Sequence, residues 1–137
     1  MSEARHLATG KLGEDIAVKF LEENGYKIVC RNIHISRKEI DIIAEDDAFL
    51  VFVEVKARSY FPETNEFGTP GYAVDSKKRM FTINAAKEYL RRNPTDKQPR
   101  IDVIEVVLRP SGEGSLYPQV LSVNHIRHAF DAKGRKH

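Results

Sequence analysis

The chain has 137 residues, 41% of them hydrophobic, and a net charge of +2, which suffices for one proper core but offers no apolar run long enough to span a membrane. So small a net charge does not by itself announce a nucleic-acid binder, and the placement of the cations matters more than their sum. A single cysteine, Cys30, excludes an internal disulfide and points to a reducing cytoplasm; following Ile28 and Val29, it reads as a small buried hydrophobe.

The first residues, Met1 to His6, lack the apolar centre of a signal peptide. A first helix is predicted from Leu7 to Asn24, stopped by Gly25. Gly10, Gly13, Ala17 and Leu21 recur at helical spacing and form a narrow stripe of mostly small residues that lets the helix approach a sheet closely. Glu14 lies on that stripe, either as a functional carboxylate or as a cap or salt-bridge partner near the first turn; Asp15, Glu22 and Glu23 read as solvated surface charges. A strand follows near Tyr26 to Arg31.

The next two segments, Lys38-Glu39-Ile40-Asp41-Ile42-Ile43 and Phe49-Leu50-Val51-Phe52-Val53-Glu54-Val55-Lys56, carry charges where a strand should bury carbon. An ion left in a dry sheet costs several kcal/mol unless it is paired or bound to a metal. A tight turn centred on Asp46-Asp47 would pair Glu45 with Ala48, Asp41 with Phe52 and Glu39 with Glu54. Glu39, Asp41, Phe52, Glu54 and Lys56 then share one face of the sheet, whereas a slip of one residue would separate Asp41 from the others. Such a cluster either neutralises itself or holds a cation.

Tyr60 to Gly71 is rich in turn formers and reads as a loop at the mouth of this cluster. Its Tyr60, Phe61 and Phe67 would stack on bases or fold back as a satellite core, the latter preferred for Phe67. A second helix is predicted from Ser76 to Arg92, with Asp75 as N-cap and Asn93-Pro94 as the stop. Met80, Ile83, Ala86 and Leu90 mark its inner face, with Lys87 at the edge. Lys77, Lys78 and Arg79 occupy its first turn, where the helix dipole disfavours cations. They make either a phosphate pocket or an ordinary solvated basic turn.

Strands are expected over Arg100 to Leu108 and Pro118 to Val123, separated by a Pro-Ser-Gly-Glu-Gly turn. Asp102 is assigned a structural role. His125 and His128, three apart in a short terminal helix, have metal-ligand spacing but no further ligand nearby, and read as packing or surface residues. Residues 1–130 form one α/β domain and 131–137 a basic, disordered tail that adds nonspecific attraction to phosphates.

Asp41 followed on the next strand by Glu54-Val55-Lys56 resembles the PD-(D/E)xK nuclease superfamily. Together with Gly13-Glu14-Asp15-Ile16-Ala17, Glu39-Ile40-Asp41-Ile42-Ile43-Ala44, Val51 to Ser59, Lys77-Lys78-Arg79 and His125 to Phe130, the chain resembles the bacterial YraN-like family over nearly its whole length. One departure is Lys38, which stands where that family usually has Gly before Glu-Ile-Asp. The resemblance implies a restriction endonuclease-like fold, a three-layer domain with a central mixed sheet between helices. It also makes Glu14 an active-site carboxylate.

The function that the charged cluster and the resemblance together imply is metal-assisted phosphodiester hydrolysis. Asp41, Glu54, the Val55 carbonyl and Glu14 would present hard oxygen ligands to Mg²⁺ or Mn²⁺, with Lys56 orienting the nucleophile or stabilising the oxyanion. Glu39 supports the site or hydrogen-bonds a loop. Arg58, Lys77, Lys78 and Arg79 would hold flanking phosphates without reading sequence. DNA, cut by structure or without selectivity, is the expected substrate more than RNA. A homodimer is an expectation, since nucleases of this fold often cut both strands with two copies. The rivals are a non-catalytic nucleic-acid or ribonucleoprotein binding module and a structural assembly protein held by an ion-pair network.

Overall fold

The computed structural model describes residues 2–61, 66–67, 76–109, 118–131, 133 and 135. It is a three-layer α/β domain. Its elements run α1 (Ser2–Glu23), β1 (Lys27–Ile35), β2 (Lys38–Glu45), β3 (Phe49–Phe61), β4 (Glu66–Phe67), α2 (Ser76–Arg92), β5 (Gln98–Arg109) and β6 (Gln119–Ile126). The main sheet has the order β1-β2-β3-β5-β6, with β4 paired to the far end of β3. All neighbours are antiparallel except β3 and β5, which α2 connects as a parallel pair.

The two helices cover opposite faces. Ala17 and Leu21 of α1 pack with Ile42, Ala44, Val51, Val53, Ile104, Val106 and Leu108. Ile83, Ala85 and Ala86 of α2 pack with Ile35, Ile40, Ile43, Leu50, Phe52, Ile101 and Val103. Period-two alternation along β3 and β5 sends neighbouring apolar residues to different cores, so strands buried on both faces read as continuous apolar runs.

The small-residue stripe on α1 does what its spacing implies, except that Gly10 is exposed. A Cβ built on Gly13 would lie 2.5 Å from the Ala57 Cβ, so the absence of a side chain there sets the distance between α1 and β3. Gly25 ends the helix in a left-handed conformation, φ 88°. Its N–H donates to the Glu22 carbonyl and that of Tyr26 to the Leu21 carbonyl, the paired bonds of a Schellman cap.

Several expectations are corrected. Four residues, Asp46 to Phe49, separate the paired Glu45 and Leu50, because the Asp46 carboxylate accepts the N–H groups of Ala48 (2.9 Å) and Phe49 (2.7 Å) and closes the loop there. The register therefore moves by two, and its continuation sets Asp41 opposite Glu54 instead of Phe52. An even shift preserves the faces. The segment expected as a loop from Tyr60 begins as strand: β3 runs to Phe61, and Tyr60 pairs with Phe67. Met80 faces solvent, since the inward stripe of α2 is rotated toward Arg79, Thr82, Ile83, Ala86, Tyr89 and Leu90. His125 lies in β6 opposite Ile104, not in a helix.

The proposed Asp75 cap and the Pro-Ser-Gly-Glu-Gly turn lie outside the described residues, as do the side chains of Phe61, Phe67 and Lys77. In the tail, Asp131 accepts hydrogen bonds from the backbone N–H groups of Lys133 and Arg135. Among the described residues no helix is long and apolar enough to cross a membrane.

Candidate functional site

The site begins where two strands part. The β2/β3 ladder runs from Glu45 opposite Leu50 to Ile42 opposite Val53 and stops there. One residue further on, the Asp41 carboxylate accepts the Val55 N–H at 2.8 Å, so a side chain replaces the rung that a neighbouring backbone would have supplied. On the other side of β2, Asn32 stands level with Asp41, between the pairs Arg31/Ile42 and Ile33/Ile40, with φ 51°. Alternation breaks at this level in both strands: Cys30 and Ile33, like Ile43 and Ile40, join the same core. Asp41 is thereby turned into the seam between β2 and β3 and does not simply share a face with Glu54.

Burial pushes the Asp41 carboxyl up to about 6; the Val55 amide bond opposes the rise, and the charges of Glu54, Glu14 and Glu39 add to it.

Glu54 and Lys56 project from β3 toward α2. Glu54 Oε1 accepts from Lys56 Nζ at 2.9 Å and lies 2.8 Å from Lys78 Nζ, while Oε2 accepts from the Thr82 hydroxyl at 3.3 Å. Burial works to raise the Glu54 carboxyl, but the Lys78 and Lys56 ammonium groups hold it below its usual range. Burial and the adjacent Lys78 lower Lys56, against the pull of Glu54. Lys78 thus stands on a carboxylate of the site itself, not simply in a solvated turn. Thr82, one helical turn on, is a participant that the sequence did not single out. Only its spacing from Lys78 could have flagged it.

Glu14 reaches the seam from the α1 side. Its Oε1 accepts from Arg31 Nε at 3.1 Å and Asn32 Nδ2 at 2.8 Å, which places it next to Asp41 across the sheet from Glu54. Neither Arg31 nor Asn32 stood out in the sequence; Asn, which tolerates left-handed backbone, was the available signal. Glu39 is exposed and lies 3.9 Å from His34, so its expected place opposite Glu54 is corrected by the register. Arg58 donates to both Glu105 oxygens at 3.2 Å. Arg79 is half-buried, and its Nε has no hydrogen-bond partner among the described residues.

Whether these residues suit a divalent cation depends on the donor set. Among the described residues no three His, Cys, Asp or Glu side chains converge as a metal cage. Mg²⁺ does not require one, since it is commonly held by one or two carboxylates with water and phosphate oxygens completing six positions. Asp41, raised by burial and by neighbouring carboxylates, and Glu54 opposite it would be such a pair, with the Val55 carbonyl as a third oxygen. Glu14 is committed to Arg31 and Asn32 and acts on Asp41 through its charge.

A second polar cluster lies lower in the sheet. Asp102, fully buried, accepts from Arg100 Nε and Nη2, both at 2.9 Å, and from the His128 N–H at 2.9 Å, and it pairs with His125 Nε2 at 2.6 Å. Arg100 also donates to the Tyr26 hydroxyl at 2.6 Å. The burial that would raise Asp102 is outweighed by His125 and Arg100, which hold it below its usual range. Every group here is satisfied from within the protein, in accord with a structural role.

Residues 13–106 match the model of the uncharacterised protein family UPF0102. The chain is 38% identical over 134 residues to a UPF0102 protein of Chlorobium phaeobacteroides, covering 97% of this chain and 100% of that one. It is 37% identical over 131 residues to one of Caldanaerobacter subterraneus subsp. tengcongensis, covering 95% and 100%. It is 42% identical over 104 residues to one of Symbiobacterium thermophilum, covering 75% and 85%. The chain belongs to UPF0102, the YraN-like family.

Proposed function

We propose that this protein is a metal-dependent nuclease of the PD-(D/E)xK type that hydrolyses phosphodiester bonds, in DNA before RNA. The observation that carries the reading is the fork at Asp41: a half-buried carboxylate is drawn into the seam, raised to about 6 by burial and the neighbouring carboxylates, and set opposite Glu54-Val55-Lys56. A merely structural acid would be expected to end in a saturated set of donors, as Asp102 does. Asp41, Glu54 and the Val55 carbonyl would hold Mg²⁺ or Mn²⁺, which when bound would supply the acidity that makes water a nucleophile at neutral pH.

The chain's own residues do the rest. Lys56, almost wholly buried, keeps its ammonium beside Glu54, where it limits repulsion between carboxylates and can donate to a phosphate oxygen. Glu14 keeps Asp41 under negative potential and so favours an arriving cation. Lys78 lies on the first turn of α2, where its half-exposed ammonium can meet flanking phosphates, with Arg79 half-buried beside it.

Linear, flapped and branched DNA and structured RNA, offered with Mg²⁺ or Mn²⁺, test the reading. Cutting is expected from the wild type and is expected to fall by at least about 100-fold in Asp41→Asn and in Lys56→Met. The two Glu54 ammonium contacts favour one second reading, an ion-pair network on an inactive nuclease fold. It predicts that well-folded protein neither binds Mn²⁺ nor cuts any member of the panel.

A further inference from the structure

We infer that Lys78 is an exchangeable counter-ion for Glu54: it holds the carboxylate while no divalent cation is present, and it is released toward the substrate backbone when one arrives. The inference rests on the nuclease reading and assigns Lys78 a role distinct from that of Lys56.

The two lysines share one oxygen of one carboxylate, Glu54 Oε1, at 2.9 and 2.8 Å. Their surroundings differ sharply. The Lys56 side chain is 6% exposed and that of Lys78 is 51% exposed. Removing Lys56 from Glu54 would strand a buried ammonium, which is strongly unfavourable. Withdrawing Lys78 costs little, because its charge returns to water along a flexible four-carbon stem. Only one of the two contacts is therefore labile.

Placement explains why the labile one exists. Lys78 sits in the first turn of α2, which contains no acidic residue and where the helix dipole repels a cation. The Glu54 contact compensates for that position. A divalent cation at Asp41 and Glu54 would remove the compensation and add repulsion, so Lys78 would have reason to leave. A phosphate at the mouth of the site, beside Lys78, is the anion that would receive it. Lys56 stays on Glu54 Oε1, and the Thr82 hydroxyl, which has both the Lys78 carbonyl (3.2 Å) and Glu54 Oε2 (3.3 Å) within reach, can turn to Glu54 when Lys78 leaves.

The direct test is Mn²⁺ binding to the full chain without nucleic acid, followed by electron paramagnetic resonance or calorimetry, for wild type, Lys78→Met, Lys78→Arg and Glu54→Gln. Lys78→Met is expected to bind Mn²⁺ on the order of tenfold more tightly than wild type, Lys78→Arg to resemble wild type, and Glu54→Gln to lose binding. Ca²⁺ is expected to raise the affinity of wild type for an oligonucleotide, and that gain is expected to disappear in Lys78→Met. If wild type binds Mn²⁺ through Glu54 but Lys78→Met binds it equally or less well, the exchange is wrong and the nuclease reading stands. If neither wild type nor Lys78→Met binds Mn²⁺, the nuclease reading fails and takes the exchange with it. Lys78 is an exposed helix residue, so matching melting curves for Lys78→Met and a second variant, Lys78→Gln, guard against misfolding as the cause.

Discussion

Asp41 has two duties that different substitutions separate. It carries negative charge into the seam and it accepts the Val55 N–H. Alanine would remove both, whereas asparagine keeps an acceptor and deletes only the charge. Because the folded carboxyl is raised from 3.8 to about 6, its contribution to stability is fully present below the unfolded value and is lost as pH rises through the folded one. Metal-free Asp41→Asn is therefore expected to be more stable than wild type at pH 8, by about 1–3 kcal/mol, with the difference closing as pH falls from about 6 to 4. Chemical denaturation at several pH values checks this. Gly13 is the other position where one atom decides the outcome. Gly13→Ala would place a methyl 2.5 Å from that of Ala57, and the resulting strain is expected to outweigh the roughly 1 kcal/mol gain in helix propensity. A double-mutant cycle with Ala57→Gly should show favourable coupling.

Among the elements, the β1/β2 hairpin turns on Ser36 and Arg37, with φ 48° and 69°. Both are left-handed, the type I′ geometry that favours Asn-Gly. Lys38 follows this turn as the partner of Ile35, so glycine is not needed at that position, and its ammonium lies over the Phe81 ring. Replacing Ser36-Arg37 by Asn-Gly is expected to add about 1 kcal/mol and to raise the melting temperature by about 3–5 °C, as a thermal melt would show. The β2/β3 hairpin shows how the site could be read from sequence. Glu54 and Lys56 were assignable to one face because alternation has period two, and the Asp46 loop moved the register by two. The turn of Asp41 into the seam was not legible, because it depends on Asn32 in a different strand adopting a conformation that most residues avoid. The β3 extension beyond Tyr60 was hidden by turn-forming composition that its pairing with β4 overrides. Arg79 and Thr82 on the inner stripe of α2 were hidden by an apolar pattern that placed Met80 there.

At the scale of the molecule, the two polar clusters tie different sets of elements together. Asp102 ties β5 to β6 through His125, to the chain beyond β6 through His128, and to the end of α1 through Arg100 and Tyr26. Asp102→Asn is expected to cost about 3–5 kcal/mol at pH 7. Since the Asp102 carboxyl is held below its ordinary value of 3.8, that stabilisation is present above the unfolded value and is lost as pH falls through the folded one, so the two proteins should converge only in strong acid. The candidate site draws Glu14 from the α1 layer, Lys78 and Thr82 from the α2 layer, and the rest from the sheet between, so it exists only when all three layers are docked. The Val55 amide stands at the meeting point, tied to a side chain where its neighbours along β3 are tied to other strands. In a nuclear magnetic resonance spectrum that proton becomes a gauge of the charge on Asp41. Its resonance is expected to travel as pH passes about 6 and to move again when a divalent cation arrives, so the readiness of the site can be watched in a protein that has met no substrate.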